Sequence, residues 1–280
     1  MLVFPNCKIN LGLHILNKRE DGFHNLKTVF YPIQLKDVLE VIQKADGISS
    51  TQNSELIFTS SGLEITGDEQ NNLCIKAYNL LKKEFPSLPP VQMHLHKAIP
   101  MGAGLGGGSA DAAFTLKLLN KKFQLGLSKE QLISYALQLG SDCPFFILNK
   151  PCYATGRGEL LEPVELDLSA FQFAIINPGI HINTGWAFEQ LNIDGSGRPE
   201  RPDPKTIIHQ HISTWKNELS NDFEAPVCKA HPEIASIKQQ LYNAGAVYAS
   251  MTGSGSTVFG IFEKEPELEF PNAYLVKLIC

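Results

Sequence analysis

The chain has 280 residues, 43% hydrophobic and 19% charged, with a net charge of −5 and a pI near 5.9. That is an ordinary globular composition, long enough for one large domain or two modest ones. A dedicated nucleic-acid binder is usually basic, so that class is disfavoured, and an anionic ligand has to be held by local donors rather than by the overall field.

The N-terminus, MLVFPNCKIN, places a proline and a lysine where a secretory leader needs an apolar run. No stretch approaches the length of a membrane span, and a cytoplasmic protein is expected. The six cysteines (Cys7, Cys74, Cys143, Cys152, Cys228 and Cys280) form no C-x-x-C pair and read as scattered reduced thiols.

From Cys7 to Ile15 the chain alternates strictly, with Cys7, Ile9, Leu11, Leu13 and Ile15 apolar and Lys8, Asn10, Gly12 and His14 between them. Period two predicts a strand with one buried face, Lys8 and Asn10 pointing together off the core. Alternating runs around residues 23–30 and 33–42 extend this into an antiparallel meander. Residues 43–72 are polar with short strand-like pieces such as ELIFT. Leu73, Ala77, Leu80 and Leu81 predict a helix over 71–85, ended by PSLPP. VQMHLHK (91–97) predicts a strand.

The next segment, PMGAGLGGGSADAA (100–113), places five glycines in the seven positions 102–108. Glycine loses the most backbone freedom on folding, so such a run needs a reason. Set between a strand and the helix predicted for SADAAFTLKLLNKKF, it forms a phosphate cradle, with backbone N–H groups turned inward at a helix N-terminus. Walker A is excluded, because no lysine precedes Ser109. The dinucleotide pattern G-x-G-x-x-G occurs at Gly102, Gly104 and Gly107, but the acidic residue wanted about 20 positions on falls at Glu130, at a helix start. A plain surface loop is the bland alternative.

Further on, a helix is predicted over 127–140, with Ser128 and Gln131 as capping box and Gly140 as C-cap. SDCPFF follows as a helix-to-strand turn. The domain boundary falls near residues 155–165. FQFAIINPG is a buried strand, 192–204 a loop, PEIASIKQQLYNAGA a helix, and VYASMTGSGSTVFGIF a strand, glycine loop and strand. His94 and His96 share a strand face without a third ligand and predict no metal centre. EKEPELE (263–269) reads as a solvated turn.

PMGAGLGGGSADAA closely resembles the nucleotide loop of the GHMP kinase superfamily. NCKINLGLHI and MTGSGSTVFGIF resemble its first and third motifs, in the right order across nearly the whole chain. KREDGFHNLKTVF, GLGGGSADAA, GSDCPFF, NPGIHINT and NDFE resemble the branch that uses ATP to phosphorylate the 2-hydroxyl of a cytidine-diphosphate-linked methylerythritol. That step belongs to the non-mevalonate route to isoprenoid precursors.

The resemblance implies a two-domain α+β fold. Residues 1–158 would form an N-terminal ATP-binding domain (ribosomal-protein-S5-domain-2-like), and 159–280 a C-terminal ferredoxin-like α/β sandwich, with the active site in the cleft between them. It implies Asp142 as catalytic base and Lys8 as its partner or a phosphate contact. ATP would be held by Pro100, Met101, Gly102, Ala103, Gly104, Leu105, Gly106, Gly107, Gly108, Ser109 and Ala110. Substrate would meet Asn10, Phe23, His24, Thr184, Phe188, Gly253 and Gly255, the rings and His24 holding cytosine. Mg²⁺ would arrive with ATP, without a dedicated protein cage. The family usually has alanine where Cys7 stands and often tyrosine where Phe23 stands. A cytidine-diphosphate substrate, no nucleic acid, no membrane, and a monomer or homodimer are expected. The competing readings are another small-alcohol kinase of the superfamily, which the DGFH segment argues against; a silent nucleotide binder, which retention of Lys8 and Asp142 argues against; and an oxidoreductase.

Overall fold

The computed structural model describes residues 1–44, 55–191, 193 and 201–279. Its strands are β1 (Leu2–Val3), β2 (Asn6–Lys18), β3 (His24–Lys36), β4 (Val38–Gln43), β5 (Leu56–Gly62), β6 (Val91–Lys97), β7 (Cys152–Thr155), β8 (Leu160–Pro163), β9 (Gln172–Asn177), β10 (Tyr248–Met251), β11 (Val258–Phe262) and β12 (Leu275–Ile279). Its α-helices are α1 (Leu73–Glu84), α2 (Gly107–Phe123), α3 (Lys129–Leu139), α4 (Cys143–Leu148), α5 (Thr184–Glu189), α6 (Pro204–Ile207), α7 (Trp215–Glu218), α8 (Glu224–Ala230) and α9 (Pro232–Asn243).

The chain forms two compact units, and neither is a single stretch of sequence. The first is Met1–Cys7, Leu35–Met101 and Gly106–Asn149. Its sheet has the order β1-β4-β6-β5. β5 and β6 are parallel, joined by α1, and the other pairs are antiparallel. Leu39, Val41, Val91, Met93 and Leu95 are buried, while Gln92 and His96 on the opposite face are exposed. α2 is buried almost all round through Ala110, Ala112, Ala113, Leu116 and Leu119, as expected of a helix enclosed by others. Asn72 caps α1, and Ser128 with Gln131 forms the predicted capping box on α3.

The second unit is Lys8–Gln34, Gly102–Leu105 and Lys150–Cys280. It holds most of the sheet β2-β3-β7-β8 and all of the antiparallel sheet β10-β11-β9-β12. α8 and α9 line the latter's core, where Val227, Ile234, Ile237 and Leu241 meet Ala174, Ile176, Val258 and Phe262. Leu13 and Ile15 of β2 enter the same cluster.

Three sequence expectations change. The meander breaks at Asp37: β3 stays with β2, whereas β4 joins the other sheet. Asp37 is fully buried and accepts hydrogen bonds from Ala98 N (2.6 Å) and Ile99 N (2.9 Å), which ties the β3–β4 junction to the end of β6. SDCPFF is a helix-to-helix turn, because Pro144 sits in the first turn of α4, where its missing N–H costs nothing. The polar face of β2 is covered as well: Lys8 is 3% exposed and Asn10 and His14 each 2%. The loop expected at 192–204 lies largely outside the described residues, and Pro204 opens α6 under an Asp203 cap. The described cysteines form no disulfide. Among the described residues no helix is long and apolar enough to cross a membrane.

Candidate active site

The glycine run ends as the start of α2. Where α1, α3 and α5 have Asn72, Ser128 and Asn183 as side-chain caps, α2 has Gly106 in left-handed backbone (φ +70°) and no side-chain cap. The leading N–H groups of a helix want an acceptor, and here the sequence supplies none. The dipole of a 17-residue helix adds positive potential at the same point. Within the first unit, the turn carrying Asp142 packs against this end. Cys143, next in the chain, is buried, and the Ser109 hydroxyl lies beside its thiol. Burial pushes that thiol up to about 12, so it is inert. Asp142 itself is half-buried at the head of α4.

In the second unit Lys8 is held from three directions. Its Nζ donates to Asn10 Oδ1 (2.7 Å) and Gly104 O (3.0 Å) and lies 5.1 Å from the centre of the Phe30 ring. Its backbone N donates to Leu105 O (3.0 Å). Asn10 is a hub: Oδ1 also accepts from Gly253 N (3.0 Å) and Thr252 Oγ1 (3.2 Å), and Nδ2 donates to Thr28 Oγ1 (3.0 Å). Asn10, expected to touch substrate, is 2% exposed and makes these contacts inside the protein.

The two glycine loops meet backbone to backbone. A Cβ on Gly104 (φ +78°) would stand 2.0 Å from Thr252 O, and one on Gly253 (φ +58°) would stand 2.9 Å from Gly104 Cα. This close approach, together with the bare helix end, is what the glycines are for. Thr184 joins the second loop through Ser254, Oγ1 to Oγ 3.1 Å. Asn221 Nδ2 donates to Met251 O (2.8 Å) and Gly253 O (2.9 Å), and Asn177 Nδ2 to Thr257 Oγ1 (2.9 Å).

Of the expected cytosine-binding rings, His24 and Phe188 stack directly, with centroids 4.4 Å apart at 13°. Burial lowers the His24 pKa, with Lys18 adding to the effect. Phe188 also meets Phe223 edge-on. Phe23 is 50% exposed, with the Arg157 guanidinium 4.5 Å from its ring centre.

A cavity of about 300 Å³ opens in the first unit beside the glycine loop. Leu73, Leu95 and Met101 give it apolar walls; Asn71, Asn72, Lys97, Gly108 and Asp111 give it polar ones. At its edge Lys97 Nζ bridges Asp37 Oδ2 (2.5 Å) and Asp111 Oδ2 (2.9 Å), all three residues buried. Burial opposes the Lys97 charge, but Asp111 and Asp37 outweigh it and raise its pKa. Burial likewise raises that of Asp111, against the pull of Lys97. His94 and His96 both hydrogen-bond Ser61 Oγ (2.9 and 3.0 Å). Among the described residues no three His, Cys, Asp or Glu side chains are placed to hold a metal ion.

Sequence reasoning missed Lys97, Asp37, Asp111, Asn221, Asn177 and Thr252. Asn221 and Asn177 sit in NDFE and NPG, whose asparagines were signals without a role. Nothing local marks Asp37 as the partner of a lysine 60 residues away.

The pattern of the GHMP kinases N terminal domain matches residues 72–150, and that of the GHMP kinases C terminal domain matches 205–270. A 4-diphosphocytidyl-2-C-methyl-D-erythritol kinase of Bacteroides fragilis is 50% identical over 279 residues, covering 98% of this chain and 97% of that protein. The protein so named in Azobacteroides pseudotrichonymphae is 49% identical over 264 residues, covering 94% of each. A crystal structure of 4-(cytidine 5'-diphospho)-2C-methyl-D-erythritol kinase superposes with a TM-score of 0.77 at 30% identity, covering 93% of this chain and 90% of that one. A Methanococcus jannaschii mevalonate kinase, at TM-score 0.65 and 12% identity over 94% of this chain and 90% of its own, shares the fold. With its two domain patterns, its α+β architecture and relatives matched almost end to end, the chain belongs to the 4-diphosphocytidyl-2-C-methyl-D-erythritol kinase family of the GHMP kinases.

Proposed function

We propose that this small-molecule kinase transfers the γ-phosphoryl group of ATP to the 2-hydroxyl of 4-diphosphocytidyl-2-C-methyl-D-erythritol, giving the 2-phosphate and ADP on the non-mevalonate route to isoprenoid precursors. The observation that carries this reading is the uncapped N-terminus of α2 at the end of the glycine run, with the Asp142 turn packed beside Ser109. Near-full-length identity to proteins bearing the corresponding kinase name supports the substrate.

In this reading residues 100–110 cradle the triphosphate, and the cavity walled by Leu73, Leu95 and Met101 takes the purine, its size suiting a flat base. Asp142 receives the proton of the 2-hydroxyl as its oxygen attacks the γ-phosphorus in line, and the bond to the β-phosphate oxygen breaks to release ADP. No covalent enzyme intermediate forms. Lys8 stabilises charge on the transferring group or orients Asp142. Asn10 acts through Lys8. Phe23, His24 and Phe188 take the cytosine, and Thr184, Gly253 and Gly255 the sugar-alcohol and phosphate side. The Ser109 hydroxyl would be the loop's side-chain oxygen for an Mg²⁺ brought by the triphosphate, and that ion would supply neutralisation of phosphate charge. We place the boundary between the two family domains at residue 158, on either side of which the matched segments fall. A cytoplasmic monomer or homodimer with no nucleic-acid partner completes the proposal.

The test is ADP release with Mg²⁺-ATP against a panel of alcohols: the cytidylyl substrate, methylerythritol phosphate, mevalonate and homoserine. Turnover is expected with the first alone, and Asp142→Asn is expected to lower kcat roughly 10²- to 10⁴-fold. Turnover with a different alcohol would discard the cytosine assignment. An Asp142→Asn enzyme of normal rate would discard the base.

A further inference from the structure

Thr252 precedes the second glycine loop and is fully buried. Its hydroxyl faces three groups. It accepts from Asn10 N (3.1 Å), and its one proton is shared between Gly104 O (3.1 Å) and Asn10 Oδ1 (3.2 Å). Those two acceptors are the same two oxygens that hold the Lys8 ammonium, at 3.0 and 2.7 Å. Its carbonyl oxygen lies where a Cβ on Gly104 would have to go. The next residue, Gly253, donates its N–H to Asn10 Oδ1 as well. One residue therefore touches the first glycine loop, the second glycine loop and two of the groups that hold Lys8. All of these groups belong to one compact unit.

A valine of the same shape would fill this space, so packing alone does not call for an oxygen. Without it, the buried Asn10 N–H loses its acceptor and Gly104 O and Asn10 Oδ1 lose a donor. We propose that Thr252 is a positioning residue for phosphoryl transfer: its hydroxyl fixes the two oxygens that aim Lys8 and locks the glycine loops into one frame. The proposal rests on the kinase reading above and assigns Thr252 no contact with either substrate. Because the placement of Lys8 matters most when charge moves in the transition state, loss of the hydroxyl falls on kcat rather than on binding.

The experiment compares Thr252→Ser with Thr252→Ala, which differ by one oxygen, and adds Thr252→Val as the isostere. Steady-state ADP release is measured with both substrates varied, and thermal melts report folding. T252A and T252V are expected to lose about 10- to 100-fold in kcat, the range a small misplacement of a reacting group costs, while both KM values move less than about threefold. T252S is expected to stay within about threefold of the native rate. A serine variant as slow as the alanine one, a T252A enzyme of native kcat, or a loss confined to KM would each overturn the proposal. Should T252V not fold, the serine–alanine pair still isolates the hydroxyl. Wild-type failure on the cytidylyl substrate would instead sink the substrate assignment. The same variants are then compared on slow ATP hydrolysis to water, where equal rates for T252S and T252A overturn the positioning role.

Discussion

Lys8 and Lys97 are buried to almost the same depth, 3% and 2% exposed, and the contacts each makes inside its own unit differ. Lys97 sits between two carboxylates, Asp37 and Asp111, which consume its charge inside the first unit. Lys8 is aimed by an amide oxygen and a backbone carbonyl, and both belong to segments that also grip the second glycine loop. The two sets of contacts hold different things together. Asp37 and Asp111 at Lys97 tie a strand junction and a helix to a β-strand end; the Asn10 and Gly104 oxygens at Lys8 depend for their positions on two loops.

Replacing each lysine by methionine puts that comparison under most strain. Lys8→Met is expected to cost about 10²- to 10³-fold in kcat, roughly 3–4 kcal/mol of transition-state stabilisation. Its stability loss should be the smaller of the two, because Thr252 still serves Asn10 Oδ1 and Gly104 O. Lys97→Met leaves two buried carboxylates without their cation, and about 3–5 kcal/mol of unfolding free energy should be lost, read from the urea midpoint. If the effects come out exchanged, with Lys8→Met unfolding the chain and Lys97→Met only slowing it, the partner chemistry is not the deciding factor.

A third buried base sharpens the contrast. His14 is 2% exposed, and burial, aided by Arg201, lowers its pKa to about 4 from 6.5. Here the fold keeps a base neutral instead of holding it charged. Between pH 6.5 and 4 the unfolded chain binds the proton more readily than the native one, so His14 lowers stability as pH falls through that window. Above pH 6.5 it imposes no such penalty. The full effect is on the order of 3 kcal/mol. His14→Gln should therefore show a smaller drop in urea midpoint between pH 7 and pH 4.5 than the native chain. Equal drops would place the acid sensitivity elsewhere.

The smallest expected effect lies away from all three bases. Ser128→Ala removes the capping box of α3, whose two hydrogen bonds are Gln131 N to Ser128 Oγ (3.3 Å) and Ser128 N to Gln131 Oε1 (2.8 Å). About 1 kcal/mol should be lost, with kcat unchanged. A change in rate would show that α3 transmits strain to the Asp142 turn.

The parts of the fold legible in the chain are those whose cause is local. Period two marked β2 and β6, spacing marked α1, and Ser128 with Gln131 marked the head of α3, because each depends on residues within a few positions of one another. The glycine loop was legible for the same reason: a bare helix N-terminus is written in the residues that form it. The polar face of β2 was misread as open, because its cover comes from Gly104, Thr252 and Gly253, up to 243 residues away. The switch of β4 to another sheet was hidden because Asp37 acts through residues 60 or more positions on.

By itself, then, the sequence determined most of the element types, the bare helix end after the glycine run and, through its motif order, the kinase family, since all of these follow from short-range pattern. Only the tertiary structure decided that Lys97 meets Asp37 and Asp111 and that the Asn10 and Gly104 oxygens meet Lys8. It alone decided that the glycine loops touch, and that Thr252 sits where their hydrogen bonds cross. Such choices depend on which distant groups fill the space around a polar atom, and a buried polar atom takes the partner that packing brings to it.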